Sequence, residues 1–202
     1  MTDLGELTAF LGLEIGRVRS QRLITLSQGQ YIERILLRHG MQDSRPCLIP
    51  GDSGTRLRLC SAEAKDRGQS QGVDLELYQS AVGSLMYAML GTRPDLAYAV
   101  GTVSQFNHAP GSENWTAVKR IFGYLVGTKH MSLQYGTRTC NGTGGYSDAD
   151  WGAGHDRKSI GGFVFVLNGG PISWASKKQT SIPLSTMEAE YMGMTQAAKE
   201  IL

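Results

Sequence analysis

Apolar and polar positions alternate with fair regularity along TAFLGLEIGRVR and again along RLITLS. A period of two marks a strand with one covered face, so these arms predict a β-hairpin with Arg19 to Arg22 near its turn. The period then lengthens. Tyr31, Ile32, Ile35 and Leu36 fall on one helical face, which predicts a helix capped by Ser27 and ended by Gly40. Tyr31 is expected in the core.

From Met41 to about Leu77 the pattern fades. Pro46, Pro50, Gly51, Gly54, Gly68 and Gly72 punctuate a polar stretch, the best place for a boundary between modules. Tyr78 to Leu90 is apolar at helical spacing, with Gly83 tolerated inside. Arg93-Pro94-Asp95 interrupts it, and Pro94 suits the first turn of a further helix running to about Asn107. Ser112 is expected to cap another helix through WTAVKRIFGYLV, stopped by Gly127. Trp115, Phe122 and Leu125 read as core. Lys119 and Arg120 suit a phosphate backbone, but such pairs are usually only solvated charge.

In the last third, YSDAD, FVFVL and PISWAS read as three short antiparallel strands, the last two joined by the hairpin signal Asn168-Gly169. A helix follows. Ser185 and Glu188 form a capping box at its start. Met187, Tyr191, Met194, Ala198 and Ile201 recur at helical spacing and predict one apolar stripe over the sheet. Glu190 flanks that stripe, whereas Glu188 points to the helix start. A charge pushed toward a packed face is costly unless something pairs with it. Asp148 in the first strand and Glu190 on the helix can therefore converge. Paired carboxylates of this kind hold magnesium, and two such ions activate water and stabilise the leaving oxygen of a phosphodiester. The ordinary alternative is that acids near element ends are solvated or capping. Asp150, His155 and Asp156 are given that ordinary reading, and Trp151 and Trp174 are expected to pack on the sheet.

The chain has 202 residues, of which 41% are hydrophobic, so it can bury a real core. Its formal net charge of +2 does not by itself indicate a nucleic-acid partner. The three cysteines, Cys47, Cys60 and Cys140, form no C-x-x-C pair, which suggests neither a disulfide framework nor a zinc site and makes a reducing intracellular setting the default. MTDLGELTAF is not a secretory signal, and no apolar run is long enough to span a bilayer.

YSDADWG, DRKSIGGFVF, ISWASKKQ and LSTMEAEY resemble the ribonuclease H region of copia-type retrotransposon polyproteins. TDLGELTAFLGLEI, LSQGQYIERIL, YQSAVGSLMYAMLGTRPDLAYAV and AVKRIFGYLVGT resemble the part that follows the polymerase core and links it to ribonuclease H. The resemblance runs from about Thr2 to Leu202, with its motifs in order. It implies Asp148 and Glu190 as the catalytic metal ligands, magnesium as the ion, and an RNA–DNA hybrid as the nucleic-acid partner. Arg157, Lys158, Lys177 and Lys178 would contact the duplex backbone, which is read by shape, phosphates and 2′-hydroxyls.

The expected fold class is α+β: a hairpin and helices of a reverse-transcriptase tail, then a truncated ribonuclease H-like three-stranded antiparallel sheet with one covering helix. The expected divisions are 1–77 for the post-palm segment, 78–138 for a helical connection, and 139–202 for the first half of ribonuclease H. The parent would copy RNA into DNA and cleave RNA in the hybrid. No Tyr-x-Asp-Asp motif occurs and the family's later acids lie beyond Leu202, so this isolated chain is expected to be inactive in both reactions. Its partners would be nucleic acid and the remainder of the polyprotein, in a cytoplasmic particle or the nucleus, with no membrane. The rival readings are a non-enzymatic nucleic-acid-binding remnant and a decayed reading frame.

Overall fold

The computed structural model describes residues 5–51, 73–136, 142–152 and 157–201. His155, Asp156, Cys60 and Cys140 lie outside them. The chain is α+β and divides into two compact units, Met1–Gln134 and Tyr135–Leu202.

The first unit opens with the expected hairpin, β2 (Leu13–Val18) antiparallel to β3 (Leu23–Ser27), joined by a 310 turn over Arg19–Gln21. A short β1 (Ala9–Phe10) folds back on β2, and β4 (Ser132–Gly136) lies beyond β3. Helix α1 (Gly29–Arg38) follows β3 directly and buries Ile32, Ile35 and Leu36. Ser27 is not its cap. It remains in β3 and donates its hydroxyl to Glu14 Oε2 at 2.9 Å, while Glu14 Oε1 accepts the Gln30 N–H at 2.8 Å. The carboxylate that meets the free amides of α1 thus comes from the neighbouring strand, where it also suits the positive end of the helix dipole. Gly40, at φ +63°, closes the helix as expected.

Helix α2 (Leu75–Gly91) is capped by Asp74, whose carboxylate accepts the Glu76 and Leu77 amides. After a 310 turn at Pro94–Leu96 come α3 (Ala97–Ser104) and α4 (Ser112–Thr128). Ser112 is the first residue of α4 rather than its cap. Asn114 Oδ1 takes the Gly111 N–H at 2.7 Å instead. Phe122 and Leu125 are fully buried, with Trp115 packed against them, as the periodicity predicts.

One buried core spans the two segments that the long polar stretch connects. Ile32, Ile35 and Leu36 share one buried cluster with Tyr78, Val82, Leu85, Val100 and Phe122. The segments on either side of the long polar stretch are thus joined in one core. One-sided helices on either side of it bury their apolar faces against each other, and the chain divides later, between Gln134 and Tyr135. Tyr31 does join this core, with its hydroxyl donating to the Ser84 carbonyl at 3.0 Å.

His39 ends α1 with its ring 5.1 Å from that of Phe122. Both its ring nitrogens are buried without a hydrogen-bond partner among the described residues. Burial, and then the charge of Arg38, lower its pKa from 6.5. A depressed histidine favours the folded state when neutral. Its contribution is complete above the unfolded value of 6.5 and declines as pH falls toward the lower folded pKa. Thermal stability is thus expected to decline on acidification below 6.5, and His39→Phe to flatten that decline. Melting curves of both chains across that range check it.

In the second unit, β5 (Thr143–Ala149), β6 (Ile160–Leu167) and β7 (Gly170–Lys178) form an antiparallel meander in that order. Asn168 and Gly169 have φ of 49° and 84°, the left-handed pair that a tight two-residue hairpin turn requires. Helix α5 (Thr186–Ile201) follows. Its start is built as the sequence predicts: Ser185 Oγ accepts the Glu188 amide at 3.2 Å, and Glu188 returns a carboxylate to the Leu184 N–H at 2.6 Å.

The covered face of α5 is a correction. Met187, Tyr191, Met194 and Ile201 are exposed, Met187 at 79%. The buried positions are Ala189, Gly193 and Ala197. The sheet explains this choice. Opposite the helix lie Ala149 and Gly161, and a Cβ built on Gly193 would stand 3.4 Å from Ala149 Cβ. Gly193 Cα lies 3.6 Å from where a Cβ on Gly161 would be. Helix and sheet meet backbone to backbone through small residues, which leaves no room for methionine or tyrosine.

Candidate functional site

One end of the second unit gathers most of the residues singled out from the sequence. Asp148 pairs with Gly162 near the end of β5, and Ile160 pairs with Lys178. Arg157 and Lys158 enter β6 while Lys177 and Lys178 leave β7, so antiparallel pairing puts all four beside Asp148's end of the sheet. Arg157 and Lys177 are exposed, Lys158 and Lys178 half-buried.

The start of α5 is fixed to this same end. Gln179, buried at 7% exposure, continues from β7 and donates its side-chain amide to the Ala189 carbonyl at 2.8 Å. Its own N–H bonds the Ser159 carbonyl at 2.8 Å. At the far end of the helix, Ser173 Oγ donates to Glu200 Oε1 at 2.7 Å. Gln179 carries no signal in the sequence that distinguishes it from a surface glutamine, yet it ties the helix that bears Glu190 to the sheet that bears Asp148.

The two acids sit differently. Glu190 is half-buried, one turn before Gly193, whose missing Cβ would lie 3.6 Å from the Asp148 carbonyl oxygen. Asp148 is exposed. Ala149 faces α5, so strand alternation places Asp148 on the other face of the sheet. The elements meet at one junction, with the helix that bears Glu190 on one face of the sheet and Asp148 on the other. β5 is an edge strand among the described residues.

Neighbouring residues are structural. Asp150 is half-buried; its carboxylate accepts the Ile160 N–H, and its own N–H bonds the Ile160 carbonyl at 3.1 Å. That arrangement pins β6 to the end of β5. Trp151 does not pack flat on the sheet as expected. It is 54% exposed and donates its indole N–H to the Pro183 carbonyl at 3.3 Å. Trp174 is half-buried. Asp148 and Glu190 offer the hard oxygen donors that magnesium takes, and neither has a hydrogen-bond or ion-pair partner among the described residues. Among those residues no three histidine, cysteine, aspartate or glutamate side chains gather as a metal site. No helix among them is long and apolar enough to cross a membrane.

No family model matches the chain, and no solved structure matches it. Curated relatives do. The chain is 44% identical over its whole length to the retrovirus-related Pol polyprotein from transposon TNT 1-94 of Nicotiana tabacum, of which it covers 15%. It is 38% identical, over 98% of its length, to the corresponding polyprotein from transposon RE1 of Arabidopsis thaliana, covering 13% of it. Over 61% of its length it is 48% identical to secreted RxLR effector protein 161 of Plasmopara viticola, covering 87% of that protein. The full-length matches to two plant transposon polyproteins agree with the order of motifs along the sequence, and the chain belongs to the family of retrovirus-related Pol polyproteins of copia-type transposons.

Proposed function

We propose that residues 143–201 are the opening half of a ribonuclease H-like domain, and that residues 5–134 belong to the segment joining it to the polymerase. In the parent polyprotein this domain cleaves RNA in an RNA–DNA hybrid, and the polymerase copies RNA into DNA. The observation that carries the reading is the junction itself: a three-stranded meander with Asp148 at the end of its first strand, and a helix held against that strand with Glu190 in its first turns.

Asp148 and Glu190 would hold magnesium, which takes oxygen ligands from carboxylates. Such an ion would supply the charge that activates water and stabilises the leaving oxygen of a phosphodiester. The chain's own contribution is placement. Gln179 and Gly193 set how far Glu190 lies from β5, and Asp150 keeps β6 from fraying beside Asp148. Arg157, Lys158, Lys177 and Lys178 sit at the same end of the sheet, where a hybrid's phosphates would meet the ion.

Manganese titration, followed by the loss of free-ion paramagnetic signal, tests the pair. The 202-residue chain is expected to bind one ion weakly, because two carboxylates are a small part of an octahedral shell. Asp148→Asn and Glu190→Gln are each expected to weaken binding by at least roughly tenfold, since affinity follows the number of charged ligands. Equal binding by all three chains would remove both acids from the site.

A further inference from the structure

Residues 45–51 of the first unit form no regular element, yet they are held at both ends. At one end the Cys47 N–H bonds the Gly123 carbonyl of α4 at 3.1 Å. Gly123 and Gly127, one helical turn apart, leave α4 bare there. A Cβ on Gly123 would stand 3.0 Å from the Arg45 carbonyl oxygen, and one on Gly127 3.3 Å from Pro46 Cβ. At the other end a Cβ on Gly51 would stand 3.5 Å from Ala99 Cβ of α3, and Arg120 Nε donates to the Ile49 carbonyl at 3.4 Å. Pro46 and Pro50 fix φ at two positions and keep Arg45 and Ile49 out of helical geometry. The segment is thus a strap tied across α4 and α3.

Between the strap and the two helices lies a cavity of about 870 Å³, within the range of small-molecule sites. Val103, Ala117 and Ile121 line it from the helices, and Leu48 and Ile49 from the strap. Leu48 is 96% exposed, so the strap carries apolar surface that the described residues leave uncovered. Thr102 and Thr116 also line the cavity, but each hydroxyl donates to its own helix, to the Tyr98 carbonyl at 2.8 Å and the Ser112 carbonyl at 3.0 Å. A hydroxyl has one hydrogen to give, so neither can donate to a ligand. Charge in the lining is one-sided: Arg45, Lys119 and Arg120 face the single carboxylate of Glu113. Arg45 and Lys119 are exposed and have no hydrogen-bond or ion-pair partner among the described residues.

From this arrangement we infer that the cavity under the strap binds a small amphipathic anion, an apolar body carrying one carboxylate, of the class of a medium-chain fatty acid. The apolar body fills the space between strap and helices and displaces water from their walls. The carboxylate stays at the rim, where Arg45 and Lys119 supply the donors that the threonines do not. A neutral apolar molecule leaves those cations unused, and a small hydrophilic anion leaves the apolar walls wet. The site takes no part in the proposed hydrolysis at Asp148 and Glu190, and the inference does not rest on that reading.

Cys47 supplies the readout. Its thiol is free, half-buried and part of the cavity lining, so its alkylation by N-ethylmaleimide reports occupancy. Peptide mass separates it from Cys60 and Cys140. Dodecanoate, kept below its micelle concentration, is expected to protect Cys47 saturably in the 202-residue chain. Dodecan-1-ol, with the same body and no charge, is expected to protect only at higher concentration, and acetate not at all. Arg45→Gln with Lys119→Gln is expected to raise the dodecanoate midpoint by about fivefold, the scale of an exposed ion pair, and to leave the dodecan-1-ol midpoint unchanged. Thr116→Leu puts a larger side chain at the cavity and is expected to weaken both ligands. Equal midpoints for dodecanoate and dodecan-1-ol, or a dodecanoate midpoint unmoved in the double variant, would overturn the inference. So would the absence of protection, or protection unchanged by Thr116→Leu, which would place the ligand elsewhere. Protection that rises with protein concentration alone would also overturn it, and would make this face a contact between copies of the chain.

Discussion

Replacing Arg93 by alanine is expected to unfold the first unit at a temperature well below that of the unmodified chain. Arg93 is 1% exposed and holds together three elements. Its Nη2 lies 2.7 Å from Asp95 Oδ2 and 2.7 Å from Thr128 Oγ1, and its Nη1 donates to the Thr128 carbonyl at 3.1 Å. Tyr124 closes the network: its ring centroid is 5.4 Å from the guanidinium carbon, and its hydroxyl donates to Asp95 Oδ2 at 2.8 Å. Truncation leaves the Thr128 carbonyl at the end of α4 without its donor and Asp95 without its countercharge. Breaking one side of a buried pair typically costs about 3–5 kcal/mol. Asp95 is 31% exposed and recovers some hydration, so the loss here is expected near the lower limit, roughly 3 kcal/mol. Arg93→Lys keeps the charge but not the planar fork that spans Asp95 and Thr128, and is expected to fall between the two. Urea unfolding of the three chains measures this. An alanine variant within about 1 kcal/mol of the original, on the scale of an ordinary surface substitution, would show that the network contributes little.

The second large effect is expected at Gly193. Valine there brings a branched side chain to a surface where the first added carbon already stands 3.4 Å from Ala149 Cβ and 3.6 Å from the Asp148 carbonyl oxygen. Backbone cannot yield as a side-chain tip does. Overpacking of this kind costs about 1–3 kcal/mol, and β-branching in a helix adds a few tenths. The helix is expected to lift from β5, which destabilises the second unit and carries Glu190 away from Asp148. Met194→Gln, on the neighbouring position, is the control. Met194 is 49% exposed, so its replacement is expected to stay within about 0.5 kcal/mol. Had α5 covered the sheet with its apolar stripe, these two results would be reversed. Hydrogen exchange of the β5 and β6 amides in both variants distinguishes the two orientations directly.

The α5 stripe shows where periodicity misleads. Met187, Tyr191, Met194 and Ile201 are evenly spaced and apolar, and a sequence-based reading assigns such a face to the core. The face that is buried consists of Ala189, Gly193 and Ala197, which carry little hydrophobic signal. What selects it is the opposing surface at Ala149 and Gly161, distant in sequence and too flat to accept large side chains. The N-caps fail for a related reason. Ser27 and Ser112 have the right chemistry, but Glu14 and Asn114 occupy the places that meet the free amides, and Glu14 arrives from another strand.

The sequence by itself determined the elements whose causes are local. The β2–β3 hairpin, the Asn168-Gly169 turn, the Ser185–Glu188 cap and the buried faces of α1 and α4 all follow from residues within a few positions of one another. Its ordered motifs also carried the family and the two candidate acids. The tertiary structure alone decided the rest. It joined the segments on either side of the polar stretch into one core, because faces that are each apolar on one side are stable only against each other. It chose the small face of α5, because close approach to a sheet rich in glycine and alanine gives more dispersion attraction than a bulky face held at a distance. It held the helix that bears Glu190 against β5 while alternation left Asp148 on the other face, a relation fixed by strand pairing and by Gln179.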